Sequence, residues 1–340
     1  MGMRVVYHLN TGDLKNIPEE APWAESMGYD GLCTDETGHD PFFPLLLAAG
    51  ATSRVTLETR VAIAFARSPM AVAYCAMDLQ GFSGGRFRLG LGTQVKGHIE
   101  RRFSVKWGAP GPRLREYVQS LHAIWDNWQE GKPLDFQGQF YNFSLMTPFF
   151  SPGVGPAGKP QVFISAVNPY NSRVAGEVCD GLALHPINSA KYLTEVIKPN
   201  IAGGAKKAGR SPNDITLSGS GFVVTGPDRQ AIDAKKEAVR RQIAFYFSTR
   251  TYHPVLEVHG FQDVGQGLHA LSVKGQWDQM AGLVSDDMLD AFAVVGPYDE
   301  VAGKIKERFE GLLDEVVLNV EAPSPDDQRA LRKIIEELQS

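Results

Sequence analysis

Cysteine is scarce in this chain: Cys33, Cys75 and Cys179 stand far apart in 340 residues, odd in number and with no C-x-x-C pair. That pattern argues against a disulfide framework and a cysteine-built zinc site, and it fits a reducing compartment. Long apolar runs are missing as well, since nowhere do about 18 apolar residues follow one another. The opening "MGMRVVYHLNTGDL" has no charged leader ahead of an apolar stretch and a small-residue cleavage site. Neither export nor membrane insertion is expected, and the expected location is cytoplasmic. Positive charge is in deficit, with 34 Lys and Arg against 39 Asp and Glu and a net charge of -5. Such a molecule offers no overall field to nucleic acid or an anionic membrane, so any anion site must be local. What is present is ordinary for a folded chain, 43% hydrophobic and 21% charged residues, enough to bury a large core.

Strand and helix signals alternate along most of the length. "MRVVYHL" is a β-branched run ended by Asn10-Thr11-Gly12-Asp13, and "IPEEAPWAESMG" reads as a helix closed by Gly28. "YDGLCT", "VTLETRVAIAF" and "RFRLGLG" are further strands, and Ser68-Pro69 starts the helix between the last two with a cap and an N-terminal proline. A hairpin excursion over about 132–160 centres on Gln137-Gly138. "QVFISA", "DGLALH", "ITLSGSGFVVT" and "DEVVLNV" complete eight strand-helix steps, with a lid-like insertion over about 248–291 before the last. Eight such steps predict an α/β fold of the (β/α)8 TIM-barrel type, a single domain over residues 1–340. The rival is a doubly wound sheet. Its dinucleotide fingerprint fails, because Val95 stands where G-x-G-x-x-G after the fourth strand needs its third glycine.

On a barrel, every loop that follows a strand lies on the C-terminal face, where such folds keep their active sites. "GLCTDETGHDPF" follows the second strand and places Asp35, Glu36, His39 and Asp40 there. A metal site is not expected: H-E-x-x-H is absent, and one loop without a partner cluster seldom makes a defined site. Asp40 before Pro41 is a common helix start and needs no further role.

The segment "TRVAIAFARSP" through "AMDLQGFSGGRFRLGLGTQ" resembles the bacterial luciferase-like superfamily of flavin- and deazaflavin-dependent oxidoreductases. The resemblance lies in Arg67-Ser68-Pro69, Ser83-Gly84-Gly85-Arg86 and Leu89-Gly90-Leu91-Gly92. It extends through "GYDGL", "GQFYNF", "VAGEVCDGL" and "VGPYDEVAGKIK", most of the chain in the same order. The combination "RSPM…LGLGTQVKGHIERRF" looks most like the branch that uses the deazaflavin coenzyme F420.

The resemblance implies a tricyclic ring held over the strand ends. A bulged, non-proline cis peptide at Arg60-Val61 would support its face together with Ala62. It assigns the ring's edge to His98, with Thr93 and Gln94 close by, and the phosphate to Ser165, Ala166, Val167, Asn168 and Asn171 at a helix start. Glu36 aligns with an acid that relatives follow with histidine. Here Thr37 comes next, and His39 lies two residues beyond. The catalytic pair implied is His39 as proton carrier and Glu36 as its orienting group. The basic stretch Lys96, Arg101, Arg102, Lys106, Arg113 and Arg115 would attract the deazaflavin's polyglutamate tail, or would simply be a solvated surface.

Three functions follow. The first is an F420-dependent oxidoreductase exchanging a hydride with a small-molecule substrate. The second is an FMN-dependent monooxygenase served by a separate cofactor reductase, for which the insertion would be the lid. The third is a non-catalytic flavin-binding homologue. Relatives often pair, so a homodimer is expected, with no nucleic-acid or membrane partner.

Overall fold

The computed structural model describes residues 2–340. Eight parallel strands close on themselves: Arg4–His8, Gly31–Thr34, Thr56–Thr59 continued as Ala62–Ile63, Phe87–Gly92, Gln161–Ala166, Gly181–Leu184, Thr216–Ser218 and Glu315–Val317. Closure is made where the first strand meets both the second, Val6 opposite Gly31, and the last, Arg4 opposite Glu315. Helices surround the barrel, so the predicted (β/α)8 architecture is what forms. Among the described residues no helix is long and apolar enough to cross a membrane.

The third strand is broken by a cis peptide at Arg60-Val61, where the resemblance placed one. Its neighbour carries the Leu-Gly-Leu-Gly run, and the alternation there has a steric cause. Leu89 and Leu91 face outward and are fully buried under helices. The glycines face the break: a Cβ at Gly90 would stand 1.9 Å from the Thr59 carbonyl oxygen, and one at Gly92 would stand 2.5 Å from a Val61 methyl carbon. The Thr59 hydroxyl stitches the two strands, donating to the Gly90 carbonyl at 2.8 Å and accepting the Gly90 N–H at 2.9 Å.

Below the mouth the barrel is filled by ions rather than hydrocarbon. Arg88 donates to Glu315 at 2.7 Å, Arg4 to the same carboxylate at 2.9 Å, and Arg60 to Glu58 at 3.0 Å and to the Ser218 hydroxyl at 3.0 Å. Burial alone would raise the Glu315 pKa, but Arg88 and Arg4 outweigh it and hold the carboxyl below its usual range. Buried ions persist when they are multiply paired, and Arg60 spends its side chain in this network.

The other sequence signals map onto local devices. Gly28 ends the helix Ile17–Met27 at φ 106°, a left-handed position where glycine carries no Cβ penalty. The hairpin forms between Phe136–Gln137 and Asn142–Phe143, and Glu116 clamps its turn by accepting the N–H groups of Gln139, Phe140 and Tyr141 at 3.0, 2.6 and 2.6 Å. In the Ser83-Gly84-Gly85-Arg86 motif, the Arg86 guanidinium donates to the carbonyls of Ser83, Ala49, Thr52 and Val55, binding helix end to strand start.

One element departs from the sequence reading. "ITLSGSGFVVT" is not one strand: Thr216–Ser218 joins the barrel, the chain turns at Gly221 with φ 71°, and Phe222–Val224 pairs in parallel with Ala293–Val295. Two short strands outside the barrel therefore bracket the long helix Arg229–Phe247 and the insertion, which folds as His253–Glu257, Gln262–Val273, Trp277–Met280 and Asp286–Phe292.

Candidate active site

The C-terminal strand ends bring most of the expected residues to one face, in unequal states. Glu36 is buried and fully engaged. Its carboxylate accepts the Ile63 N–H at 2.7 Å, just after the strand break, and the Arg67 guanidinium at 2.8 and 2.7 Å. Arg67 reaches on to Asp40 at 2.8 Å, while the other Asp40 oxygen accepts the Phe42 N–H at 2.9 Å at the helix start. This acid-arginine-acid bridge ties the second-strand loop to the third-strand bulge. His39 is exposed, and among the described residues its ring contacts neither Glu36 nor another hydrogen-bond partner. The structure does not bring the expected pair together.

Val61 and Ala62 lie at the break, above the two inward glycines. Thr93 and Gln94 follow the fourth strand half-buried; Gln94 is left-handed at φ 55°, and its own side-chain oxygen accepts the Val95 N–H at 2.9 Å. His98 is exposed on the short helix Lys96–Arg101.

Ser165 and Ala166 end the fifth strand, and the Tyr192 hydroxyl fixes the next residue by donating to the Val167 carbonyl at 2.7 Å. Asn168 caps the helix Pro169–Val178, its side chain accepting the Asn171 N–H at 2.9 Å. The Asn171 amide is buried beneath that helix start, and its Oδ1 has no partner among the described residues. Oxygen and nitrogen of an amide exchange by a half-turn, so this group can present an N–H instead. The fourth strand pairs with the fifth, so the bulge packed on Gly90 and Gly92 stands one strand away from a helix N-terminus with an unpaired amide, an arrangement that suits a flat cofactor carrying a phosphate arm.

The basic stretch divides. Arg115 is paired with Glu177, and Arg113 donates to the Tyr141 hydroxyl at 2.9 Å while lying 4.4 Å over the Phe65 ring. Arg102 donates to the Thr37 carbonyl at 2.6 Å, whereas Lys96, Arg101 and Lys106 are exposed.

Sequence reasoning missed two histidines at this face. His8 ends the first strand, and its Nε2 lies 3.5 Å from an oxygen of Asp35, which follows the second. His185 follows the sixth strand and is enclosed by two rings at the end of the long helix and start of the insertion, Tyr246 at 4.6 Å and Tyr252 at 5.2 Å between centroids. Burial pushes the His185 pKa down to about 4. The insertion is docked beside it: His259 meets the Ser189 hydroxyl at 2.8 Å and the Lys191 ammonium donates to the Val258 carbonyl. The signal for both histidines was in the strings "VVYH" and "DGLALH", where a titratable residue ends a strand run.

Comparison with known proteins agrees with this geometry. An uncharacterised protein of Mycobacterium tuberculosis is 50% identical over 304 residues, covering 89% of each chain. A putative coenzyme F420-dependent oxidoreductase of the same organism is 28% identical over 305 residues, 84% of this chain and 85% of the relative. The crystallised coenzyme F420-dependent tetrahydromethanopterin reductase of Methanopyrus kandleri superposes with a TM-score of 0.76 over 99% of this chain and 98% of its own, at 23% identity, and so shares the fold. The family model of luciferase-like monooxygenases matches residues 3–315. The chain thus belongs to the luciferase-like family, whose members are oxidoreductases and monooxygenases.

Proposed function

We propose that this protein is a coenzyme F420-dependent oxidoreductase that moves a hydride between the deazaflavin and a small organic substrate. The observation that carries the reading is the bulge at Val61 and Ala62, packed on Gly90 and Gly92, at the end of a strand whose neighbour pairs with the strand leading to the helix start at Asn168. It is supported by the 28% identical relative whose name carries the same cofactor.

Val61 and Ala62 hold the ring's face, and Thr93, Gln94 and His98 border its edge. The backbone of Ser165, Ala166, Val167 and Asn168, with the Asn171 amide, cradles the phosphate. Glu36 acts as a positioning residue: through Ile63 and Arg67 it fixes the bulge on which the ring rests. His39, Lys96, Arg101 and Lys106 stand at the rim, where cations attract a chain of carboxylates. Bound deazaflavin supplies a carbon that gives or takes a hydride without oxygen. The protein orients the substrate and excludes water, and the aromatic wall of Tyr246 and Tyr252 serves the second purpose.

The test is a titration of the purified protein with F420 and, separately, FMN, read by tryptophan quenching at low and high salt. Preference for F420, weakened by salt, is expected. Preference for FMN would overturn the reading and favour the monooxygenase alternative. That alternative is supported by the family's description and by the docked insertion; it requires a reductase partner and fails if turnover proceeds without oxygen.

The protein is further proposed to act as a homodimer. Phe43, Leu46 and Leu47 on one helix and Phe82 on the next are exposed side by side, an apolar face that a second copy would cover. Light scattering is expected to give twice the chain mass, and Phe82→Glu with Leu46→Glu a single one.

A further inference from the structure

The cofactor reading leaves the proton unassigned. Glu36 has no free capacity, being bound to Ile63 and Arg67, and His39 stands without a partner among the described residues. Two imidazoles remain at the mouth, in opposite environments. The His185 Nδ1 accepts the Ile187 N–H at 3.3 Å, which places the ring's single proton on Nε2. Enclosed by Tyr246 and Tyr252, this ring is held neutral by burial.

His8 is built differently. Asn319, just beyond the last strand, clamps its backbone from both sides, accepting the His8 N–H at 2.9 Å and donating to its carbonyl at 2.8 Å. Strand alternation turns its side chain to the same side as Arg4, into the barrel mouth. Its Nε2 faces Asp35 at 3.5 Å, and the two side chains are 33% and 30% exposed, open to an incoming molecule. The Asp35 charge is also felt by Tyr246 of the long helix and by the buried Cys33 of the second strand.

We propose that His8 exchanges a proton with the substrate at the barrel mouth and that Asp35 positions its ring. The inference rests on the oxidoreductase reading for its substrate, whereas the pair itself is independent of the cofactor. Nε2 is the ring nitrogen on the Asp35 side, 3.5 Å from its carboxylate, which leaves Nδ1 as the nitrogen for the substrate. In the reducing direction a hydride supplied by the cofactor would form a C–H bond at the carbonyl carbon, the C=O π pair would pass to the oxygen, and that oxygen would take the proton as the Nδ1–H bond of the imidazolium breaks. The imidazole left behind is neutral, and solvent reprotonates it.

The experiment is long-range 1H–15N spectroscopy of the full-length protein over about pH 5 to 9, on wild type, His8→Gln and Asp35→Asn, with and without F420. Asp35→Asn is expected to change the His8 ring 15N shifts, which report the nitrogen that carries the proton, and to leave those of His39 in place. With whichever acceptor of a ketone and quinone panel wild type reduces fastest, His8→Gln should lose about a hundredfold in turnover with unchanged F420 affinity. Asp35→Asn should lose less and shift the pH profile. His8 ring shifts unchanged by Asp35→Asn, or a His8→Gln enzyme with wild-type turnover, would overturn the proposal. Perturbation of the mouth imidazoles by FMN and not by F420 would instead overturn the cofactor reading, leaving the Asp35→Asn result to decide the pair.

Discussion

Gly90 and Thr59 approach so closely that the fourth strand has no room for a side chain: an added Cβ would lie 1.9 Å from the Thr59 carbonyl oxygen. The glycine is what lets the third strand bulge toward its neighbour at the strand ends. Backbone cannot rotate away as a side chain would, so Gly90→Ala is expected to cost about 3 kcal/mol. Gly81→Ala, in a helix with open space around it, should be neutral or slightly stabilising. Chemical denaturation of both variants checks the contrast.

Replacing Glu36 by Ala leaves Arg67 without its main partner and the Ile63 N–H without an acceptor in a buried setting. The expected loss is about 3 kcal/mol, together with weaker cofactor binding. Glu36→Gln, which keeps an acceptor for Ile63, should retain more of both. Thermal denaturation and the tryptophan-quenching titration read the two effects.

His185 gives stability a pH dependence of known sign. Its folded pKa, about 4, lies below the ordinary 6.5, so between those values the unfolded chain binds the proton and the folded one does not. Stability is therefore lost as pH falls through this window, by about 3 kcal/mol. His185→Phe should flatten that part of the stability profile, measured by urea midpoints from neutral pH downward.

The exposed cations Lys96, Arg101 and Lys106 predict a cofactor-selective effect. Changing all three to Ala should weaken F420 binding about tenfold and remove most of its salt sensitivity. FMN, which has no polyglutamate tail, should be unaffected. Equal effects on both ligands would assign the stretch to the surface.

The barrel was legible in the sequence because each strand-helix step carries its own punctuation. Gly28, Ser68-Pro69 and Asn168-Pro169 act within a few residues of where they stand, and the structure uses each as a helix terminus. The seventh strand was not legible, because "TLSGSGFVV" has no apolar gap to reveal that Phe222–Val224 leaves the barrel for Ala293–Val295. The site divides in the same way. The bay at Arg60-Val61 could be placed from a local motif, whereas Glu36 with Arg67 and His8 with Asp35 are partnerships across 31 and 27 positions. Composition and periodicity carry no trace of contacts at that range.

That detached pair of strands also bears on how the mouth can change. Phe222 sits opposite Ala293 and Val224 opposite Val295, so the chain enters and leaves the whole excursion through one short ladder that is separate from the barrel's own hydrogen bonds. The two ends are held together whatever lies between them. The excursion is thus a cassette with a fixed socket: its helices can be lengthened, shortened or exchanged while the eight staves and the bulge at Val61 keep their register. New substrates would then be reached by rebuilding this one wall.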